Sequence, residues 1–438
     1  MIAPSRHAAS PRKGWGARAL SVALVGAALV AACKKTPPPP PTPDPTPSAS
    51  GPVAVTPAEA APDPARGKAL VLEMQCNRCH DGTGHAAAAQ NKHCVHCHKD
   101  IMEGRFKASE ASIARWKPRV KDLADAPSLE AIGARVSRAF IESYLLTPTD
   151  LRPHLVASMP RLAITSAQAK DIAAYLAPED APPASREKAP AAIAGADLGK
   201  GRALLDSKGC GTCHTVSGIA PLTASPVPVP QDPRAFERGH RIAPDLRATR
   251  DRMSAARVVR WLKDPKAVKA DTEMPTIPLT DAEIRDLAAY VLTVPLASPE
   301  AKPKPERLPL LTRKVSFKEV DEKVFHRTCW HCHSEPDYAI GDGGPGNSGG
   351  LGFKPRGLNL SDYAGIAAGF LDDKGERSSV FAKEADGTPR LVRAMLARHE
   401  EEAGAPTGPV RGMPLGYAPI SLEDIQLVDT WISQGRPR

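Results

Sequence analysis

Residues 201–214 read GRALLDSKGCGTCH, and the fold turns on how that stretch ends. Cys210-Gly211-Thr212-Cys213-His214 sets two thiols two residues apart and an imidazole directly behind them. Thiols so placed can add to the two vinyl groups of a haem, and the adjacent His then becomes an axial ligand to the iron. The pattern recurs at Cys76–His80 (CNRCH), Cys94–His98 (CVHCH) and Cys329–His333 (CWHCH). Eight of the nine Cys lie in these four copies, and Cys33 has its own explanation below, so no thiol is left over. A disulfide framework fits poorly, because the partners would stand two residues apart with each pair followed at once by a His. Thioredoxin-like chemistry needs a βαβ context that the pattern lacks. Zinc needs four ligands per site, and each copy offers three.

Outward from this stretch the chain repeats itself. Residues 67–80 read GKALVLEMQCNRCH, reaching their motif nine residues after Gly67, as residues 201–214 do after Gly201. Each copy continues through Pro127-Ser128-Leu129 or Pro244-Asp245-Leu246, then a helical stretch with Tyr144-Leu145 or Trp261-Leu262. Met159-Pro160 or Met274-Pro275 follows, and then a closing helix. Thr165-x-x-Gln168 and Thr280-x-x-Glu283 fit capping boxes, and Ser421-x-x-Asp424 is a near match. Ile172 and Tyr175, Leu287 and Tyr290, and Val428 and Trp431 stand seven and ten residues after those caps, which is helical spacing for a core stripe.

This order resembles the class I cytochrome c domain over most of residues 66–296: opening helix, CxxCH, irregular loops, Met ligand, closing helix. Segment 313–438 departs from it, with 80 residues from His333 to Met413 against 60 from His214 to Met274. Its ending, Arg411-Gly412-Met413-Pro414 and Trp431-Ile432-Ser433-Gln434-Gly435-Arg436-Pro437, resembles the cytochrome c-like domains of planctomycete proteins. The expected fold is all-α, three small cytochrome c-like helical domains joined by Pro-rich linkers. The boundaries are a dihaem domain at 66–180, a linker at 181–195, a monohaem domain at 196–296, a linker at 297–312 and a monohaem domain at 313–438. Aromatics form only 4% of the chain, thin for three ordinary cores, and a haem offers side chains a large apolar body to pack against.

Four covalent c-type haems are therefore expected, bound by Cys76, Cys79, Cys94, Cys97, Cys210, Cys213, Cys329 and Cys332, with His80, His98, His214 and His333 on iron. The resemblance implies Met159, Met274 and Met413 as distal ligands, since all three precede Pro just before a closing helix. One iron is left short. Spacing pairs Met159 with CVHCH, His98 to Met159 being 61 residues, whereas the opening helix pairs it with CNRCH. Loops accept insertions more readily than helices lose register, so Met159 is expected to pair with CNRCH, with CVHCH in an inserted loop. His85 and His93 are the near candidates for the sixth ligand there, with His85 the expected one; His154 and Met102 stand behind them.

The N-terminus has a basic stretch, Arg6 to Arg18, and then an apolar run, Ala19 to Ala32, which fits a secretory signal peptide over 1–32. Leu29-Val30-Ala31-Ala32-Cys33 resembles the lipobox of bacterial lipoproteins, which implies lipidation of Cys33. Residues 33–65 are Pro-rich and favour polyproline II, a tether reaching up to ~90 Å. Gly341 to Gly352 is Gly-rich but lacks the Gly-Lys-Ser/Thr of a phosphate loop. The formal charge of +9 drops to +5 once Arg6, Arg12, Lys13 and Arg18 are removed, and the basic residues are scattered, which argues against a nucleic-acid partner.

The expected function is electron transfer in respiration by a periplasm-facing, membrane-anchored lipoprotein, with the outer membrane favoured by Lys34. Donors would be a membrane dehydrogenase or quinol oxidase, and acceptors an oxidase or reductase. Met ligation raises the potential relative to two imidazoles, so three higher-potential haems and one lower are expected. The alternative is a haem enzyme, a peroxidase or small-molecule reductase, acting at the inserted haem of the first domain. It needs an iron position that opens and acid/base groups beside it.

Overall fold

Asp63 starts the first helix. Its carboxylate accepts the Ala65 and Arg66 N–H groups, and Pro64 fits the first turn, giving helix Pro64–Glu73. Asp197 does the same for Leu198–Ser207 by accepting the Lys200 N–H at 3.0 Å. Each opening helix crosses its closing helix, Ser166–Leu176 or Asp281–Thr293, at a buried glycine. A methyl group on Gly67 would overlap the Asp171 carbonyl, and one on Gly201 the Asp286 carbonyl. The crossings are pinned alike: the Asp63 N–H donates to Asp171 Oδ1 at 2.7 Å and the Asp197 N–H to Asp286 Oδ1 at 2.8 Å. Both closing helices carry complete capping boxes, at Thr165 and Thr280.

The computed structural model describes residues 61–149, 151–179, 181–334, 357–372, 374–406 and 408–438. The expected signal peptide, Cys33, most of the expected tether and the Gly341–Gly352 loop lie outside the described residues. About half of the described residues are helical, and the only strands among them are Phe370–Leu371 and Arg377–Ser378, paired antiparallel. No helix among them is long and apolar enough to cross a membrane.

Helix Arg138–Leu146 packs on Ser166–Leu176, and Ala255–Lys263 packs on Asp281–Thr293. Buried Ile172, Ala169 and Val71 centre the first core, and Leu205, Leu287 and Tyr290 lie in the second segment. Cys94–Met102 and Glu110–Val120 form an extra helical pair in the first segment, with its own cluster of Ile101, Trp116 and Val120. The third segment opens with Phe317–Val320, which runs into a π-helical stretch, Asp321–Cys329, and then Trp330–His333. Its core gathers Phe325, Val392, Met395, Val428 and Trp431 around helices Arg390–Glu402 and Leu422–Ser433. At Ser421 the Asp424 N–H donates to the hydroxyl, but Asp is a methylene short of Glu, and no bond returns to the cap.

The segments are bound to one another within one unit, Glu59–Arg438. Between the first and second, the Ser137 N–H meets the Arg252 carbonyl at 2.6 Å and Arg238 pairs with Asp125 at 3.0 Å. Between the first and third, buried Glu401 takes Arg161 at 3.1 Å, and Arg398 reaches the Ala157 carbonyl. The Pro-rich stretches are straps laid on this body. The Ala184 N–H donates to the Met253 carbonyl at 2.7 Å, and Arg307 forks onto Asp429 at 2.6 and 2.9 Å.

Candidate haem sites

The first and third motifs share one geometry. A left-handed residue, Gln75 (φ 52°) or Gly209 (φ 74°), turns the chain out of the opening helix into a 3₁₀ turn, Cys76–Arg78 or Cys210–Thr212. The His80 N–H closes on the Cys76 carbonyl and the His214 N–H on that of Cys210, each at 2.9 Å. His80 Nδ1 donates to the Pro127 carbonyl and His214 Nδ1 to that of Pro244, each at 2.8 Å. That bond fixes the tautomer: the proton sits on Nδ1, and Nε2 keeps a lone pair for a metal. Burial lowers the pKa of both rings, with the Pro carbonyls opposing, which keeps them neutral at pH 7. The Pro-x-Leu repeat was legible as a repeat, but its carbonyl's task was not.

The second motif begins helix Cys94–Met102. Here His98 Nδ1 faces the Leu123 carbonyl at 3.4 Å, and the Tyr417 hydroxyl donates to His98 Nε2 at 3.2 Å. Burial pushes His98 down to about 3. The motif lines a cleft of about 890 Å³, walled by Ile101, Phe106, Trp116, Val120 and Ile420 and reached by His154, His326 and His331. The fourth motif lies on the helical run from the π stretch, and burial lowers its His333. All eight thiols are free of disulfides.

Motifs one, two and four converge on Tyr417. Its phenol is raised well above the usual range by burial and then by the sulfurs of Cys332, Cys94, Cys97 and Cys79. Cys79 is likewise raised, first by its hydrogen bond with the Cys94 thiol and then by burial. No spacing in the sequence pointed to Tyr417, because it comes from a segment more than 300 residues from His98 in the chain.

The distal candidates are placed as follows. Met159 is half-buried against the core that holds Cys76. Met274 Sδ accepts the Trp261 indole N–H at 2.9 Å. The Met413 N–H donates to the Ala394 carbonyl at 2.9 Å, and its neighbour Gly412 donates to Glu401 at 2.8 Å. His85 Nε2 is spent on the Lys68 carbonyl at 2.9 Å. His93 is buried, and its Nδ1 accepts the His96 N–H at 3.1 Å, so its proton sits on Nε2. His93 and His96 stack at 3.4 Å beside Asp81, which takes His96 at 3.1 Å. The three resemble a metal triad in spacing, but the protonated Nε2 of His93 has no lone pair to give.

Residues 198–295 match the family model described as Cytochrome c. The chain carries a cytochrome c-type domain. No curated protein and no solved structure matches the chain. A cytochrome c domain implies covalently bound c-type haem with iron and a haem-based electron-transfer function. The donors in residues 198–295 fit that group: two adjacent thiols, an imidazole with a bare Nε2, and a thioether held by Trp261. The all-α build agrees with that fold.

Proposed function

We propose that the chain is a tetrahaem c-type cytochrome lipoprotein that moves electrons between periplasmic or membrane redox partners in respiration. The carrying observation is the paired geometry of His80 with Pro127 and His214 with Pro244, which extends the features of residues 198–295 to the first segment. It supports CNRCH, not CVHCH, as the motif that pairs with Met159. Met274 and Met413 take the same role in their segments.

Haem so held supplies one-electron exchange between ferric and ferrous iron with little rearrangement. The chain's part is to fix each proximal imidazole neutral and to exclude water with the surrounding core. The convergence of three motifs at Tyr417 favours internal transfer, since nearby centres exchange electrons without leaving the body. Cys33 would carry the lipid anchor, facing the periplasm, with the outer membrane favoured. A membrane dehydrogenase or quinol oxidase would be the donor, and an oxidase or reductase the acceptor.

The test is a haem count and spectroscopic redox titration of the full chain, matured in a host that attaches c-type haem. Four haems per chain are expected, three at higher potential and one lower. Fewer than four, or colourless protein with free thiols, overturns the reading.

A further inference from the structure

We propose that His331, the residue between Trp330 and Cys332 of the fourth motif, is the second axial ligand to the iron held at Cys94, Cys97 and His98. One prosthetic group would then be clamped between the first and third segments. The inference rests on the tetrahaem reading above and replaces His85 as the expected sixth ligand.

Two imidazoles on opposite faces of one metal, each bonded at about 2 Å, have ring centres roughly 6 Å apart. His98 and His331 stand at 5.9 Å. Both ring planes contain the axis in such a pair, so their 40° interplanar angle is an allowed torsion. Both rings line the same 890 Å³ cleft as the thiols Cys94 and Cys97. The helix Trp330–His333 explains how one motif serves two sites. Successive side chains turn by about 100°, so residues two apart point nearly opposite ways. His333 therefore faces its own haem while His331 faces away from it.

The rivals are committed elsewhere. His85 Nε2 is on the Lys68 carbonyl at 2.9 Å, His93 Nδ1 is on the His96 N–H at 3.1 Å, and His96 is on Asp81 at 3.1 Å. His154 and His326 also line the cleft, but the His154 ring lies tilted against His240 with centres 4.5 Å apart, and His326 stacks on Trp330 at 3.7 Å. Met102 packs against the Ile101–Trp116 cluster. His331 makes ring contacts to His98 and Tyr417 and lies near the Arg119 charge, with no hydrogen bond to another described residue. Tyr417 is the competing oxygen donor, its hydroxyl lying 3.2 Å from His98 Nε2.

The test uses the full, matured chain with haem count, low-temperature electron paramagnetic resonance of the oxidised form, and carbon monoxide binding to the reduced form. Wild type should bind no carbon monoxide. His331→Ala keeps the CxxCH pattern, so four haems should remain, with one turning high-spin and binding one carbon monoxide per chain. His331→Met should keep all four six-coordinate and raise one potential, which covers the case in which the Ala variant fails to accumulate. His85→Ala, His154→Ala and Tyr417→Phe should match wild type. Four haems with His331→Ala spectra unchanged, or an opened site in any of the other three variants, overturns the inference. Fewer than four haems in wild type overturns the tetrahaem reading beneath it.

Discussion

At Met274 a single side chain links core packing to redox chemistry. Its sulfur is held by the Trp261 N–H at 2.9 Å, and the resemblance assigns that sulfur to the distal position. Met274→Ala should lower the potential of one haem and leave the other three in place, read by redox titration. Four unchanged potentials would remove Met274 from the ligand set. Asp171 supplies a different residue-scale expectation. Its carboxyl is held below the ordinary range by the Arg66 guanidinium and, beyond the opposing effect of burial, by the Asp63 N–H. The unfolded chain then binds that proton more readily, so the stability it contributes is full above about pH 4 and is lost as pH falls through the folded value. Asp171→Asn should narrow the gap between urea midpoints measured at pH 7 and pH 3.

At the scale of elements, the helix crossings set the tolerance for change. Gly67→Ala and Gly201→Ala each drive a methyl into a backbone carbonyl, which cannot swing aside as a side chain can. Each should cost about 1–3 kcal/mol, measured by urea denaturation, with the helices spreading apart. These helices were legible because their signals are local: the caps at Thr165 and Thr280, and the apolar stripe through Ile172 and Leu287. The nine-residue lead from Gly67 and Gly201 was legible too, although the carbonyl that demands glycine was not. The π stretch at Asp321–Cys329 escaped reading, since its five-residue bonding leaves no periodic mark in nine residues. The pairing of His98 with His331 was hidden for another reason. Side-chain direction at a motif depends on whether it sits on a 3₁₀ turn or a helix, and the four motifs are alike in spelling.

For the whole molecule, the seam between the first and third segments is charged and buried. Glu401 is 5% exposed and takes Arg161 at 3.1 Å, Arg398 at 3.7 Å and the Gly412 N–H at 2.8 Å. Glu401→Ala would leave buried Arg398 with only the more distant Glu402 carboxylate at 3.8 Å, a loss of about 3 kcal/mol. The expected outcome is a separate, earlier unfolding step for the third segment in calorimetry. Arg161 also reaches the carbonyls of Gly408 and Val410, so the same seam steadies the loop before Met413. The straps carry a final consequence. Arg307 is locked on Asp429, the Leu311 N–H on Thr430 at 3.0 Å, and Ala184 on Met253. A protease that cut both proline stretches would leave three fragments migrating as one red particle on a native gel, parting only in detergent.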